Sequence, residues 1–204
     1  MFVNARFRWN PKAILDAYWD INSSQNAMGT YYTINSMGIG YFELEAYGAT
    51  TLRLLPGNEI KAYYLASSYG EKKTLLLQDQ ADYFFTDTIT GCQFAAYGND
   101  RQRMTVVHSN YLNAPSANAQ SMAYSQDATQ VRLGRFDNTA IFGQRNYRKG
   151  GFRPGEDASN TVVTVIGWRK DDGWHFYARR RLNEHNNRRA LDPAAFELNF
   201  DVRW

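Results

Sequence analysis

Short segments in which apolar and polar residues alternate recur along this chain and predict β-strands. Phe42, Leu44 and Ala46 alternate with other side chains, which is the period of two that places one face of a strand on a core. Further candidates, rich in aromatic or β-branched residues, span 52–55, 62–66, 74–78, 83–89, 93–97 and 104–108. The same alternation predicts a last, half-buried strand on Phe196, Leu198, Phe200 and Val202. We therefore expect more sheet than helix, with neighbouring strands paired.

A helical pattern is found near the N-terminus. Asn10 and Pro11 precede Ile14, Leu15 and Tyr18. Asparagine is a preferred N-cap and proline is accepted in the first turn, so this segment predicts one short amphipathic helix. Residues 113–130 are small and polar, and they predict either a weak helix or a covering loop.

Glycine and charged residues mark the turns. Asp171-Asp172-Gly173 separates the apolar segments 162–168 and 174–178, which predicts a hairpin with glycine where positive φ is needed. Residues 145–160 contain several glycines and many charges, a composition that indicates a loop able to lie as a flap over a site.

Composition limits the fold class and the kinds of site. With 204 residues, 44% of them hydrophobic, the chain suits one domain, so we interpret residues 1–204 as a single strand-rich α+β domain. One cysteine excludes an intramolecular disulfide, and with three histidines it does not supply the usual Cys-based zinc site. We predict no metal and no cofactor. The N-terminus lacks a signal-peptide core, and no segment approaches the roughly 20 apolar residues of a membrane span.

The positive charge of the chain is unevenly distributed. The net charge is +3, but 13 Lys and Arg stand against 6 Asp and Glu between Arg132 and Arg189. Basic clusters at 179–181 and 188–189, with aromatic residues nearby, are typical of surfaces that bind phosphates and stack bases. A solvated basic face explains the same asymmetry. A nucleic-acid-binding module therefore stands as an alternative function.

The single cysteine lies in the segment that carries the most chemical information. Cys92 follows Gly91, and the second of the next two candidate strands ends at His108. If these strands pair antiparallel with Ala96 opposite Met104, Cys92 lies opposite His108. An adjacent imidazole can take the thiol proton and so produce the attacking thiolate. Gly91 allows a sharp turn that leaves backbone N–H groups, including that of Cys92, available for an oxyanion.

Other interpretations of these residues stay open. A slip of two residues would make Cys92 and His108 diagonal neighbours, and a buried, unreactive cysteine with a core histidine has the same spacing. His175 and His185 are expected to have structural or surface roles. Asp87 has a side chain able to orient an imidazole, but a backbone carbonyl can do the same, so we interpret Asp87 as a turn residue and leave it out of the catalytic assignment.

The segment from Asp82 to His108 resembles the catalytic core of the glutamine-deamidating bacterial toxins, the family of cytotoxic necrotising factor and Burkholderia lethal factor 1. The resemblance rests on the runs Tyr83-Phe84-Phe85-Thr86 and Ile89-Thr90-Gly91-Cys92 and on the strand that ends in His108. In that family a Leu-Ser-Gly-Cys turn carries the nucleophile, a histidine on the next strand is the base, and a backbone carbonyl orients the imidazole. Here Ile-Thr replaces Leu-Ser, and the loop between cysteine and histidine is a little longer.

The resemblance assigns a role to each residue of the segment. It implies that Cys92 is the nucleophile, that His108 is the base, and that Thr86 is the residue whose carbonyl orients the imidazole. Thr90 and Gly91 correspond to the turn that supplies the oxyanion donors. The implied fold is a central β-sandwich with flanking helices.

The implied activity is that of a cofactor-free protein-glutamine deamidase, a toxin-like cysteine hydrolase that converts glutamine to glutamate. Its partner would be a host regulatory protein with an exposed glutamine, and the enzyme would be a monomer. The resemblance further implies a bacterial virulence effector, cytoplasmic when made, exported without a classical signal peptide and active in a host cell. A transglutaminase, or another cysteine hydrolase that uses the same Cys-His dyad, remains an alternative.

Overall fold

The computed structural model describes residues 2–18, 20–22, 38–47, 49, 51–184 and 187–202, so His185 lies outside the described residues. The helices are α1 (Phe2–Trp9), α2 (Pro11–Ala17), α3 (Ala117–Leu133) and α4 (Gln144–Tyr147), with a 3-10 turn at Ala158–Asn160. The strands are β1 (Asp20–Asn22), β2 (Gly38–Tyr47), β3 (Thr51–Pro56), β4 (Ile60–Leu65), β5 (Lys72–Leu77), β6 (Tyr83–Thr86), β7 (Gln93–Asp100), β8 (Arg103–Ser109), β9 (Asn138–Phe142), β10 (Thr161–Lys170), β11 (Gly173–Glu184), β12 (Asn187–Ala190), β13 (Phe196–Glu197) and β14 (Asp201–Val202).

The described strands form two sheets, which confirms the predicted strand-rich α+β class. The large sheet has the order β1-β3-β2-β4-β6-β10-β11-β12, with β13 also paired to β11, and the small sheet has the order β14-β9-β7-β8-β5. The β4–β6 pair is parallel. The chain leaves the large sheet after β6 and enters the small sheet at β7, so these successive strands do not pair with each other.

Two apolar cores hold the layers together. One core lies between the sheets and contains Phe84 and Phe176 of the large sheet with Phe94 and Val106 of the small one. The other core packs Phe7 of α1 and the α2 side chains against the opposite face of the large sheet. The large sheet is therefore buried on both faces.

The predicted helix at Asn10 is confirmed, because the Asn10 side chain accepts a hydrogen bond from the Ala13 amide at the start of α2. Residues 113–130 contain most of α3, whose N-cap is Ser116. The hairpin is also confirmed: Lys170 pairs with Gly173, and Gly173 has a φ of 115°. The proposed flap at 145–160 holds α4, turns and the 3-10 turn.

Two predictions about strands were wrong. The single strand from Phe196 to Val202 is two short strands, because β13 pairs with β11 in the large sheet and β14 pairs with β9 in the small sheet. The segment therefore crosses between the layers. The strand predicted at 83–89 ends at Thr86, and Ile89 makes only an isolated bridge to Val163.

The predicted register of the β7–β8 hairpin was also wrong. Phe94, not Cys92, lies opposite His108, and the register shifts at a bulge between Tyr97 and Asp100. The two strands extend closer to the turn than predicted, to an Asp100–Arg103 pair. The bulge changes the register between this pair and the pairs from Tyr97–Thr105 to Gln93–Ser109. Cys92 lies just before β7, diagonal to His108, as in the slipped register considered above.

Candidate active site

A contact between the two sheets positions His108. Thr86 ends β6 of the large sheet, and its Oγ1 lies 2.9 Å from Nδ1 of His108, near the end of β8 in the small sheet. Both residues are buried, His108 completely. The resemblance pointed to the Thr86 carbonyl, but the hydrogen bond found here goes to the side-chain hydroxyl. The imidazole is thus held by the other layer of the sandwich.

The partners of Thr86 define the tautomer of His108. The same Oγ1 lies 2.8 Å from the carbonyl oxygen of Leu65, on the parallel neighbour β4. A carbonyl can only accept, so the one hydroxyl proton goes to Leu65, and Oγ1 must accept from Nδ1–H. Nε2 therefore carries the lone pair. Among the residues that the structure describes, Nε2 has no hydrogen-bond partner although it is buried.

Burial sets the protonation state of this imidazole. It lowers the pKa of His108 to about 4, and the negative charge of Asp87 opposes the shift only in part. His108 is consequently neutral at pH 7, with an unprotonated Nε2. A buried, unpartnered imidazole nitrogen is the form that a general base requires.

Cys92 is a buried free thiol. Its Sγ lies 3.5 Å from the carbonyl oxygen of Thr90 and next to the Ser67 side chain. Burial raises the pKa of Cys92 to about 11, and the charge of Asp87 adds to the rise. The thiol is therefore protonated at pH 7. It makes no hydrogen bond to His108 here, since its proton is directed at Thr90.

The turn before Cys92 requires glycine. Gly91 has a φ of 74°, and a Cβ added there would lie 2.8 Å from Cδ2 of Leu112. The exposed Leu112 side chain can move aside, so it is the positive φ that would strain any other residue. The turn is fastened to the large sheet by reciprocal backbone hydrogen bonds between Ile89 and Val163.

Side chains from α3 and α4 hold the carbonyl groups of this turn. The Tyr124 hydroxyl and Gln144 Nε2 each donate to the Gly91 oxygen at 2.6 Å, and the Tyr147 hydroxyl donates to the Cys92 oxygen at 3.1 Å. The peptide bond between Gly91 and Cys92 is planar and trans. The Cys92 N–H therefore points away from Tyr124 and Gln144, and its direction is set by them.

A second group of polar residues surrounds the thiol and the imidazole. Asp87 accepts hydrogen bonds from the Tyr64 hydroxyl and, at 2.6 Å, from the Ser67 amide. The Ser67 hydroxyl in turn accepts from Asn110 at 3.2 Å. Asp87 was interpreted as a turn residue, but it orders the loop that reaches Cys92.

The structure places Cys92, which follows Thr90 and Gly91, diagonal to His108 and joins His108 to Thr86; the charge of Asp87 acts on both Cys92 and His108. Tyr124, Gln144, Tyr147 and Ser67 are additional site residues that the sequence did not indicate. No local motif marks them, because they come from distant segments. Only a three-dimensional contact identifies them.

His175 and the basic clusters lie elsewhere. The His175 ring contacts Asp172 at 2.7 Å and Glu197 at 2.5 Å, and so ties the β10–β11 hairpin to β13. Arg179 is buried and donates to the Leu15 carbonyl at 2.8 Å.

Two further arginines of the clusters are ion-paired, Arg180 with Asp192 and Arg189 with Glu156, each at 2.5 Å. These arginines and His175 stabilise the fold. They do not form an open phosphate-binding surface.

Comparisons with known proteins give a likeness to solved structures and none by sequence. No protein-family model matches the sequence, and no curated protein matches it. Among solved structures, the crystal structure of the C-terminal domain of CNFy from Yersinia pseudotuberculosis is similar, with a TM-score of 0.47 and 11% identity over 78% of this chain and 71% of that one. Within the described part of the chain, no helix is long and apolar enough to cross a membrane.

Proposed function

We propose that this protein is a cysteine-dependent protein-glutamine deamidase. The proposal is carried by the Nε2 of His108, a buried and unprotonated nitrogen without a partner among the described residues, at the end of the sandwich where the Cys92 turn lies. The sequence resemblance at 82–108 supplies the reaction class. The geometry supplies a base with an assigned tautomer and a glycine turn beside the thiol.

The first step forms a thioester. As Cys92 Sγ attacks the side-chain carbonyl carbon of glutamine, the thiol proton breaks its hydrogen bond to the Thr90 oxygen and passes from Sγ to His108 Nε2. The tetrahedral intermediate collapses when Nε2–H returns this proton to the departing nitrogen, which leaves as ammonia. Catalytic hydrogen bonds are often absent before substrate binds, and here substrate binding must turn the thiol from Thr90 towards His108.

The second step hydrolyses the thioester. His108 Nε2 takes a proton from water, the hydroxide oxygen attacks the thioester carbon, and the thiolate leaves and regains the proton. The product is glutamate, so each turnover adds one negative charge to the substrate protein. Neither step requires a cofactor or a metal ion to account for the bonds and protons exchanged.

The Cys92 N–H is the proposed oxyanion donor. Tyr124 and Gln144 hold the Gly91 carbonyl on one side, so the amide proton is fixed on the other side before substrate arrives. A donor that does not reorganise stabilises developing charge more strongly than a mobile one. Tyr124 and Gln144 are thus positioning residues in this mechanism.

The proposal is tested by peptide mass spectrometry of candidate substrate proteins after incubation with wild type or Cys92→Ser. A glutamine that gains about 1 Da with wild type only, with release of ammonia, is the expected result. Incorporation of an added polyamine at that glutamine, with ammonia released but no glutamate formed, would instead indicate a transglutaminase. If binding of nucleic acid survives Cys92→Ser and no protein is modified, the enzyme proposal fails.

A further inference from the structure

A groove of about 460 Å³ runs between α3 and α4; we call it the α3–α4 groove. Its floor contains Gln93 and Ile141, whose side chains face away from the core between the sheets. One wall is the stripe of α3 residues with helical spacing that includes Ala117, Tyr124 and Arg132. The volume lies in the range of sites that bury an organic ligand or a short peptide segment.

The charge of the groove has one sign. Arg132, Arg145 and Arg148 line it, and neither aspartate nor glutamate does. Within the described ranges, none of the three guanidinium groups lies within ion-pair distance of a carboxylate, although the charge of Arg148 helps to lower the pKa of Asp157. Nε of Arg148 is buried without a hydrogen-bond partner among the described residues. These arginines contrast with Arg180 and Arg189, whose charges are already paired.

The groove meets the candidate active site at the Cys92 turn. Tyr124 and Gln144 line the groove and also donate to the Gly91 carbonyl. Gln93, on the groove floor, directly follows Cys92. Cys92 faces the core between the sheets and Gln93 faces the groove, so the two lie on opposite faces of the small sheet. A chain lying in the groove would therefore have to continue round the Gly91 turn to bring a glutamine to Cys92.

We propose that the α3–α4 groove binds an acidic segment of the substrate protein, next to the glutamine that reaches Cys92. This inference rests on the proposed deamidase function. Unpaired arginines favour carboxylates. Nucleic acid is disfavoured because Tyr124 is the sole aromatic side chain among the described residues that line the groove, and its ring packs on Tyr111 at 5.1 Å between centroids. Unpaired bases would find no free ring on which to stack.

The binding test uses the Cys92→Ser protein, so that turnover plays no part. The probe is a fluorescein-labelled peptide with one glutamine flanked by glutamates, followed by fluorescence anisotropy. The groove variant is Arg132→Glu with Arg145→Glu. Its matched control, Lys61→Glu with Arg103→Glu, makes the same change in net charge at two exposed residues outside the groove lining. We expect binding to weaken about tenfold or more in the groove variant only, and to weaken with added salt.

Equal weakening in both variants, or in neither, would overturn the groove assignment. Tighter binding of a single-stranded oligonucleotide, with displacement of the peptide, would also overturn it in favour of nucleic acid.

Ammonia release by the wild-type protein separates this inference from the proposed function. Release from the glutamate-flanked peptide, well above release from a lysine-flanked one, supports both. Equal release from the two peptides refutes the groove alone. Groove-dependent binding with no release from any glutamine peptide or protein refutes the deamidase.

Discussion

Replacement of Thr86 by valine tests how His108 is held. The change removes the hydroxyl while nearly preserving the volume of the side chain, so two hydrogen bonds disappear: the one to the Leu65 carbonyl at 2.8 Å and the one from His108 Nδ1 at 2.9 Å. Both partners are in the interior. A buried polar group left without a partner costs about 1–3 kcal/mol, so the free energy of unfolding should fall by about that amount.

The same change should alter the histidine tautomer. In the wild type, Thr86 Oγ1 accepts from Nδ1–H and so leaves Nε2 unprotonated. Without this acceptor the preference is lost, and a proton on Nε2 blocks proton transfer from Cys92. A hydrogen bond worth about 1.4 kcal/mol corresponds to a tenfold change in the tautomer ratio, so turnover should fall by up to about tenfold.

Nitrogen-15 NMR of the histidine rings measures the tautomer, and urea unfolding measures the stability. Thr86→Ser is the matched control, because it keeps the hydroxyl and loses only a methyl group. It should keep the Nδ1–H tautomer. If Thr86→Val also keeps this tautomer, with Nε2 unprotonated and stability unchanged, the role given to Thr86 is wrong.

Three other predictions follow from the same residues. Gly91→Ala should lower the free energy of unfolding by about 1–2 kcal/mol or more, because φ is positive; an unchanged urea midpoint would contradict this. His108 titrates at 6.5 when unfolded and at about 4 when folded, so only the unfolded chain is protonated between these values. Stability should therefore fall by up to about 3 kcal/mol as pH drops through this window, and His108→Gln should abolish that dependence in acid unfolding curves. Alkylation of Cys92 by iodoacetamide should accelerate about tenfold per pH unit from pH 7 towards its pKa of about 11; a plateau at neutral pH would indicate a preformed thiolate instead.

Most of the strands, the α2 helix and the β10–β11 hairpin were predictable because each depends on neighbouring residues. Alternation at Phe42 and Leu44, the cap at Asn10 and the turn at Gly173 are local signals. The register of β7 and β8 was not predictable in this way. It depends on a bulge next to Gly98, where an added Cβ would lie 2.7 Å from the Arg103 carbonyl oxygen, and this close approach exists only in the folded hairpin.

The residues of the candidate site also divide into those that the local sequence indicates and those that only the folded structure reveals. Cys92, Gly91 and His108 were singled out because they share one short stretch of sequence. The groups that orient them come from elsewhere: Tyr124 from α3 and the Leu65 carbonyl from β4. Helix α3 is polar and weakly patterned, so nothing in its sequence indicates that one tyrosine reaches the Gly91–Cys92 turn.

The central claim is that His108 activates Cys92 towards a glutamine carboxamide. A peptide in which this carboxamide is replaced by a chloromethyl ketone would trap the thiol, and mass spectrometry would locate and time the adduct. The account predicts one adduct, on Cys92, that forms about 100-fold or more slowly in His108→Gln, while both proteins react alike when unfolded. Equal rates for the two folded proteins, or no adduct on Cys92 in the wild type, would contradict it.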